Sequence, residues 1–474
     1  MTAIASFTDQ VWDDDILPTL TDYIRIPALS PAFDPDWATS GHLDAAVAML
    51  SGWAEARSID GLSVEVVRMD GRTPVILAEV PAFDGGGGGG ASGADTVLLY
   101  GHLDKQPEMV GWRDGLGPWE PVRDGDRLYG RGGADDGYAL FAALAAIEAA
   151  RAEGRPHARC VILIEATEES GSYDLPAYVE ALAPRIGDVS LIICLDSGAM
   201  NYHQLWVTNS LRGLASGLLR VEVNTEGLHS GAYGGIVPDS FRVLRGLLDR
   251  IEDSATGEVL VPECHTEIPA DRVAQVEGLA AALGDFTKKY PVVDGVDLAT
   301  KAPAELWLDR TWRPSLTVIG ADGFPSTAAG GNVIRPGTSM MLSMRLPPTV
   351  DPDVAAEAIG RVLTEDPPYG AKVTWELRET GPGWAAPTLA PWLAEAADAA
   401  SNAHFGSPCG HTGEGGSIPF MGMLGERFPE AQFLVIGVLG PGSNAHGPNE
   451  FLHVPMAKKL TACVADVLAA HATR

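Results

Sequence analysis

The chain has 474 residues, more than one typical hydrophobic core organises, so we expect two or more domains. Its 63 acidic and 33 basic residues give a formal net charge of -30. Nucleic acids and anionic membranes both require a basic surface, so this charge argues against either as a partner. The composition therefore favours a large globular protein that acts on neither.

Cysteine usage and the first residues bear on the compartment. Five cysteines are widely spaced, and no two of them form a CxxC pair. This pattern is typical of reduced thiols rather than of a disulfide framework or a thiolate zinc site. The opening stretch MTAIASFTDQVWDDD lacks a basic region and an apolar run, so we expect no signal peptide. No run of about 18 apolar residues predicts a membrane span, and a cytoplasmic location is the expectation.

The first part of the chain alternates helical patterns with apolar runs. Apolar spacing predicts amphipathic helices at 11–26 and 45–56, and an alanine-rich helix at 138–154 that ends near Gly154. LSVEVVRMD and PVILAEVPA alternate like strands, whereas TVLLYGHLD, RCVILIEATEES and VSLIICLDSG are continuously apolar. Buried strands separated by helices predict an α/β domain with a mostly parallel sheet.

One stretch between two predicted strands has no regular pattern. Asp84–Asp95 contains six consecutive glycines, which predict an exposed flexible loop. A phosphate-binding role is disfavoured, because no strand–GxGxxG–helix frame surrounds these glycines.

The pattern changes near Arg212. From there to about Thr380, helical segments at 240–251 and 270–283 mix with alternating strands such as TSMMLSMRLPP and KVTWELRE, which predicts an inserted α+β domain. The α/β pattern then returns with a predicted helix at 391–403 and the strand AQFLVIGVLG. The predicted organisation is a first domain at 1–211 and 381–474, interrupted by a second at 212–380.

Potential metal ligands follow the ends of the apolar strands. Because sites in open parallel sheets form beyond the carboxyl ends of the strands, we expect these side chains to converge in one crevice. Asp135, in the glycine-rich stretch RGGADDGYAL, adds a further carboxylate. The other candidates, in chain order, are His102, Asp104, Glu168, Glu169, Asp196 and His446.

The donor set indicates which metals fit. Two imidazoles and several carboxylates without a thiolate suit zinc, with manganese or cobalt as substitutes. The ligands are too many for one open tetrahedral zinc, and they suffice for two ions that share a carboxylate and a water. We therefore expect two Zn²⁺ per subunit.

A series of motifs in this order resembles the aminoacylase and carboxypeptidase family of di-zinc hydrolases, and most of all its carnosinase-like cytosolic dipeptidases. The motifs span about residues 100 to 450: YGHLDKQPE, GRGGADDG, TEESGS, CLDSG, GLHSGAYGG, GEGGSIP and GPGSNAHGPNE. The resemblance implies a zinc-exopeptidase-like catalytic domain with an inserted lid domain. That lid also forms a homodimer in most relatives.

The resemblance also implies a role for each candidate ligand. His102 and Asp196 would bind one zinc, and Asp135 would bridge it to the second. Asp104 would hold the imidazole of His102 in the ligating tautomer. The remaining positions are Glu169 and His446, which would bind the second zinc, and Glu168, which would be the general base.

Further positions resemble the family's substrate contacts. His229 in GLHSG would stabilise the developing oxyanion, and in dimers of the family this histidine often reaches the partner's site. Arg345 and Asn332 would contact the substrate, although Arg345 suits a structural ion pair as well. Gly416 and Ser417 in GEGGSIP would form a nest for a C-terminal carboxylate, where the alternative is a plain turn before a helix.

The predicted activity is hydrolysis of dipeptides or short peptides with a free C-terminal carboxylate. An N-acyl-amino-acid deacylase is the alternative, because the same metal chemistry breaks either amide. A non-catalytic metal-binding scaffold is more remote, since it predicts loss of the base or of a ligand, and all of these residues are present.

Two features of RGGADDGYAL need separate mention. In relatives the peptide bond between the paired aspartates is often cis, so we expect a cis bond between Asp135 and Asp136. Carnosinase-like relatives usually continue Asp-Asp-Lys-Gly, whereas Gly137 and Tyr138 follow here. This departure leaves the ligands intact and bears on substrate preference.

Overall fold

The computed structural model describes residues 2–85, 95–284, 292–300, 302–416 and 419–474. The chain divides into two compact units. The first comprises 1–209, 386–412 and 423–474, and the second comprises 210–385 and 413–422. Most of the predicted glycine loop (86–94) and Ser417 lie outside the described residues.

The helices, in chain order, are α1 (Ala3–Val11), α2 (Leu17–Ile24), α3 (Trp37–Ser40), α4 (His42–Glu55), α5 (Ala139–Ala152), α6 (Leu175–Ala181), α7 (Ala183–Ile186), α8 (Ser230–Tyr233), α9 (Ser240–Leu248), α10 (Ala270–Leu283), α11 (Pro303–Thr311), α12 (Pro352–Thr364), α13 (Pro391–Phe405), α14 (Pro419–Arg427) and α15 (Val454–Ala472). A π-helical turn, Trp12–Ile16, joins α1 to α2.

The strands are β1 (Ser63–Val67), β2 (Val75–Val80), β3 (Thr96–His102), β4 (Val122–Asp124), β5 (Arg127–Tyr129), β6 (Arg159–Glu165), β7 (Val189–Cys194), β8 (Trp206–Leu211), β9 (Gly213–Glu222), β10 (Leu228–His229), β11 (Ser315–Asp322), β12 (Val333–Ile334), β13 (Gly337–Leu346), β14 (Lys372–Gly381), β15 (Trp384–Ala385), β16 (Gly410–Glu414), β17 (Gln432–Val435) and β18 (Phe451–His453).

The first unit is built on a sheet with the strand order β1-β2-β6-β3-β7-β17-β8. Its centre, β6-β3-β7-β17, is parallel, and β1, β2 and β8 join antiparallel. Every residue of β3 is buried, as expected of a strand covered on both faces. The prediction of a mixed α/β fold with a mostly parallel central sheet is confirmed.

A small antiparallel sheet, β18-β5-β4, brings two distant loops together in the same unit. Leu128 of β5 pairs with Leu452 of β18. The amide of Gly130, just after β5, donates to the oxygen of Glu450, just before β18, at 3.0 Å. The aspartate pair that follows Gly130 and the histidine that precedes Glu450 therefore lie on adjacent loops.

The second unit contains an antiparallel sheet with the order β11-β13-β9-β14. Helix α12 begins at Asp351, whose carboxylate accepts from the amides of Asp353 and Val354. Helix α9 begins in the same way at Asp239. Their apolar faces form one core with β9 and β13, which includes Leu219, Val221, Leu244, Leu247, Leu342, Ile359 and Leu363.

Two properties of the whole chain are relevant to its environment. All five cysteines are free thiols, and Cys409 alone among them is not fully buried. Among the residues that the structure describes, no helix is both long enough and apolar enough to cross a membrane.

Candidate metal centre

The register of the parallel strands explains why the candidate ligands of the first unit meet. His102, the last residue of β3, pairs with Glu165, the last residue of β6. Cys194, the last residue of β7, pairs with Tyr100 of β3 and Val435 of β17. All four strands therefore end at one edge of the sheet, where the chain continues into loops that carry acids and histidines.

Asp135 lies at the middle of the resulting cluster. Its Oδ1 is 3.3 Å from Nε2 of His102, and its Oδ2 is 3.1 Å from Nε2 of His446. The same nitrogen of His102 is 3.8 Å from Oδ2 of Asp196, and that of His446 is 3.2 Å from Oε2 of Glu169. One carboxylate thus faces two imidazoles, each of which has a second carboxylate beside it.

Among the described residues, two groups of three side chains could each hold a metal ion, because the three donor atoms within a group lie within 4.8 Å of one another. One set is His102, Asp135 and Glu169, and the other is His102, Glu168 and Asp196. Oε2 of Glu168 is 4.0 Å from Nε2 of His102. The structure therefore places Glu168 in the cluster beside the acids predicted as ligands.

Asp104 connects the end of β3 to the turn that carries the two glutamates. Its carboxylate accepts from the amides of Glu168 at 3.1 Å and Glu169 at 3.0 Å. Nδ1 of His102 lies 3.1 Å from the main-chain oxygen of Asp104 and 3.6 Å from its carboxylate Oδ1. The main-chain oxygen is thus the nearer acceptor for the imidazole, and the carboxylate mainly holds the glutamate turn.

The loop around Asp135 is fixed by its neighbours. The Asp135–Asp136 peptide is cis, as predicted. Asp136 Oδ2 accepts from the amide of His102 at 3.3 Å. Tyr138 is fully buried, and its hydroxyl donates to the main-chain oxygen of Leu195, next to Asp196. The second aspartate and the tyrosine therefore tie this loop to β3 and to the end of β7.

Gly137 is the first of the two residues that depart from the Asp-Asp-Lys-Gly pattern expected from the resemblance. A Cβ atom at this position would lie 2.1 Å from Cε1 of Tyr23 and 2.6 Å from the oxygen of Gly132. Tyr23 is itself fully buried, and its hydroxyl donates to the oxygen of Leu103 at 2.7 Å. The ring of Tyr23 thus fills the space that a side chain at position 137 would need.

Burial and mutual repulsion shift the ionisation of the acids in different directions. Burial raises the pKa of Glu168 well above its usual range, and Asp196 adds to the effect. Burial, Asp135 and Glu168 do the same to Glu169. Burial raises the pKa of Asp196 to about 6. Burial alone would also raise the pKa of Asp135, but His102 and His446 hold it below its usual value.

The two imidazoles respond to the same charges. Burial opposes protonation of His102, yet Asp104 and Asp135 raise its pKa well above the usual value. Asp135 likewise raises the pKa of His446 against the effect of burial. The cluster therefore has an excess of negative charge that attracts cations.

One buried atom tests whether a metal ion fits. Within the part of the chain that the structure describes, Nε2 of His102 is buried and has no hydrogen-bond partner. It points at three carboxylates at 3.3 to 4.0 Å. Imidazole nitrogens and carboxylate oxygens are ligands that zinc, manganese and cobalt accept, so the residues present fit such an ion.

The remaining predicted residues lie in the second unit. His229 is exposed in β10 and pairs with Val333, and the oxygen of Asn332 accepts from the amide of Ser230 at 2.9 Å. His229 and Asn332 therefore lie on one two-stranded ribbon. Arg345 is half-buried in β13 and pairs with Ser315, whereas Gly416 is exposed.

Sequence analysis missed several residues that hold the ligands. Nε2 of Gln106 donates to Oε2 of Glu169 at 2.7 Å. Arg131 and Glu450 form a buried ion pair between the loops of Asp135 and His446. Glu450 also accepts from the amide of Gly132 at 3.0 Å. Gln106 lies in the motif YGHLDKQPE and was open to inference, but nothing local indicates the pairing of Arg131 with Glu450, 319 residues apart.

A parallel sheet whose strand ends gather imidazoles and carboxylates is the arrangement of a metal-dependent hydrolase. Comparison with known proteins identifies the family of hydrolases. The model of Peptidase family M20/M25/M40 matches residues 98–470, and the chain belongs to this family. The family predicted from the sequence motifs is therefore confirmed, and with it the prediction of a peptidase.

Individual relatives support the same assignment. The chain is 29% identical over 421 residues to a cysteinylglycine-S-conjugate dipeptidase of Corynebacterium striatum. The alignment covers 86% of this chain and 87% of the relative. It is 28% identical over 393 residues to the Beta-Ala-His dipeptidase of Homo sapiens, covering 80% and 73% of the two chains. The solved di-peptidase Dug1p of Saccharomyces cerevisiae superposes with a TM-score of 0.74 at 23% identity, covering 100% of this chain and 98% of that one. This last likeness concerns the fold.

Proposed function

We propose that this protein is a zinc-dependent dipeptidase that hydrolyses dipeptides or short peptides with a free C-terminal carboxylate. The observation that carries the proposal is the placement of Asp135 between His102 and His446, with Glu168 beside them. The names of the relatives support the substrate class, since both curated relatives are dipeptidases of small substrates.

The proposed centre holds two Zn²⁺ ions, for which Mn²⁺ or Co²⁺ can substitute. His102 and Asp196 would hold one ion, and Glu169 and His446 the other. Asp135 would bridge them, in keeping with its two oxygens facing different imidazoles. A pair of zinc ions supplies Lewis acidity, which lowers the pKa of water and polarises a carbonyl oxygen.

Glu168 is the proposed general base. A base that accepts a proton from water and returns it to the leaving amine works best with a pKa near the operating pH. Burial raises the pKa of Glu168 in that direction. The hydrogen bond from its amide to Asp104 fixes the turn that carries it, at 3.1 Å.

The second unit supplies the proposed substrate contacts. His229 stabilises the developing oxyanion, and the guanidinium of Arg345 binds the substrate carboxylate. Asn332 contacts the substrate from the same ribbon as His229, and the nest of Gly416 and Ser417 binds its C-terminal end.

We also infer a homodimer through the second unit and a cytoplasmic location. β11 is an edge strand of the four-stranded sheet, and its residues Val318 to Asp322 are exposed. Ile319 has 60% of its surface accessible. An exposed apolar edge strand favours pairing with a second copy. The five free thiols support the reducing compartment.

The substrate class can be tested directly. Protein stripped with a chelator and reloaded with Zn²⁺ is incubated with dipeptides, tripeptides and N-acyl amino acids, and the released amines are quantified. We expect cleavage of dipeptides that disappears on stripping and returns on reloading. Cleavage of N-acyl amino acids without any dipeptide would instead establish the deacylase alternative.

The general base is tested by Glu168→Gln. The amide keeps the shape of the side chain but cannot accept a proton, so kcat should fall by about 10²–10⁴-fold with zinc content unchanged. Glu55→Gln, an exposed position at the end of α4, is the matched control and should retain full activity. Full activity of Glu168→Gln at normal zinc content would refute the proposed mechanism.

A further inference from the structure

Lys105 is a fully buried lysine whose partners are main-chain oxygens. Its Nζ lies 2.9 Å from the oxygen of Tyr23, 3.4 Å from that of Ile24 and 2.8 Å from that of Ile26. The ammonium also lies 3.9 Å from the centre of the Tyr23 ring. Among the described residues, no carboxylate forms an ion pair with it. Lys105 therefore binds the carbonyl end of α2, at the negative end of the helix dipole, and shares the oxygens of Tyr23 and Ile26 with main-chain amides.

The main chain of Lys105 holds the same segment, which we call the 23–32 segment. The oxygen of Lys105 accepts from the amide of Ser30 at 3.0 Å. A β-bridge pairs Lys105 with Leu29. Side chain and main chain of one residue thus fix both ends of the bend that follows α2.

The 23–32 segment in turn reaches the turn that carries the glutamates. The hydroxyl of Ser30 hydrogen-bonds that of Ser170. The amide of Ala32 donates to the same Ser170 oxygen at 2.9 Å. Ser170 is the residue after Glu169 and closes the 3₁₀ turn from Glu168. The segment therefore holds this turn from one side while Asp104 holds it from the other.

These contacts form a closed ring that includes the turn of Glu168 and Glu169. Lys105 follows Asp104 directly, and Asp104 accepts from the amides of Glu168 and Glu169. From the turn, the ring returns through Ser170 and Ser30 to Lys105. A shift of Lys105 would therefore displace Asp104 and loosen the turn at the same time.

The side chain of Lys105 fits closely against its neighbours. A Cβ at Gly132 would lie 2.6 to 2.8 Å from three carbons of the Lys105 side chain, so the glycine leaves the space for it. The ring of Tyr23 that receives the ammonium also occupies the space beside Gly137. The aromatic ring of Tyr23 thus connects Lys105 to the loop of the paired aspartates.

We propose that Lys105 is a positioning residue of the metal centre, and that the 23–32 segment is part of its supporting structure. The proposal rests on the proposed metal site. It assigns to the 23–32 segment a role in the geometry of the ligands.

The test compares Lys105→Met with the native protein in three measurements. Zinc affinity is measured by competition with a chelator, kcat and KM are measured on a cleaved dipeptide, and hydrogen exchange is followed at the amides of residues 167–171. Loss of a group that orients ligands typically costs about 10–100-fold in metal affinity or activity. We expect about a tenfold loss in zinc affinity or kcat, little change in KM, and faster exchange at Glu168 and Glu169.

The matched control is Lys458→Met. Lys458 in α15 also contacts the N-terminal helical region of the first unit, since its Nζ lies 2.7 Å from a carboxylate oxygen of Asp13. The side chain of Lys458 is 14% exposed. This variant should lose stability but keep zinc affinity, kcat and exchange at 167–171. If Lys105→Met behaves like Lys458→Met in all three measurements, Lys105 stabilises the fold only and the proposal is wrong.

Ser30→Ala decides the matter if Lys105→Met does not fold. It removes one hydroxyl from the ring and should shift all three measurements in the same direction by less. If Lys105→Met does fold, the effects in the double variant should be less than additive, because both residues act through one segment. Unchanged values for Ser30→Ala would overturn the proposed ring.

If the native protein cleaves no peptide, the proposed function fails, while zinc affinity and exchange still test the role of Lys105.

Discussion

The pKa values of the carboxyl groups in this centre shift in opposite directions because their nearest neighbours differ. Asp135 lies between two imidazoles, and its pKa falls below the usual value although it is buried. Glu168 has acids among its neighbours, and its pKa rises. A lowered pKa suits a permanent anion between cations, whereas a raised one suits proton transfer. The environments thus separate the proposed bridging role from the proposed base.

Gly137 provides a prediction at this scale. Gly137→Ala places a Cβ 2.1 Å from Tyr23 and should destabilise the protein by about 1–3 kcal/mol, because a packed interior yields only at the cost of strain. Gly52→Ala in α4, where a Cβ meets nothing within 4 Å, should stabilise by about 0.5–1 kcal/mol. Urea unfolding of both variants measures the difference. Equal effects would show that Tyr23 moves aside freely.

The candidate ligands were predictable from sequence to the extent that a general rule places them. Strand ends in a parallel sheet converge, so His102, Glu168 and Asp196 were expected to meet. The contacts that hold these ligands in place were not predictable in this way. Lys105 binds Tyr23, 82 residues away, and the hydroxyls of Ser30 and Ser170 are 140 residues apart. Such contacts depend on packing that no local pattern reports.

The ends of helices and strands were also only partly predictable from the sequence. The predicted helix at 11–26 begins earlier, at Ala3, because Thr2 accepts from the amide of Ala5 and caps it. The predicted strand AQFLVIGVLG ends at Val435. Beyond it, the amide of Ile436 donates to Cys194, and a Cβ at Gly437 would lie 1.9 Å from the oxygen of Ser197. The close passage past the end of β7, rather than hydrophobicity, therefore determines where β17 ends.

The exposed strand β11 supports a prediction about assembly. Ile319→Lys places a charge on an apolar edge strand, which natural sheets use to prevent pairing. We expect this variant to weaken the proposed dimer at least tenfold, as measured by light scattering over a dilution series. Val354→Lys, which changes a 51% exposed residue of α12, is the control and should leave the dimer intact. A native protein that is monomeric throughout would remove the basis for the proposal.

At the scale of the whole molecule, buried neutral histidines contribute to stability at neutral pH. Burial lowers the pKa of His157 to about 4, and Arg151 adds to the effect. Nε2 of His157 accepts from Nε of Arg151 at 2.9 Å, so this nitrogen cannot take a proton without breaking the bond. His471, buried in α15, also has its pKa lowered to about 4, first by burial. Neither residue belongs to the candidate metal centre, so the effect is separable from metal binding.

The sign of the resulting pH dependence follows from proton uptake on unfolding. An unfolded histidine has a pKa of about 6.5, so below this pH the unfolded chain binds a proton that folded His157 excludes. The contribution to stability is complete above pH 6.5 and is lost as the pH falls towards 4, by on the order of 3 kcal/mol for this residue.

His157→Gln keeps an acceptor for Arg151 and cannot titrate. The free energy of unfolding of the native protein should therefore fall more steeply than that of the variant between pH 6.5 and 4, in urea titrations at each pH. Parallel curves for His157→Gln and the native protein would show that His157 is protonated in the fold.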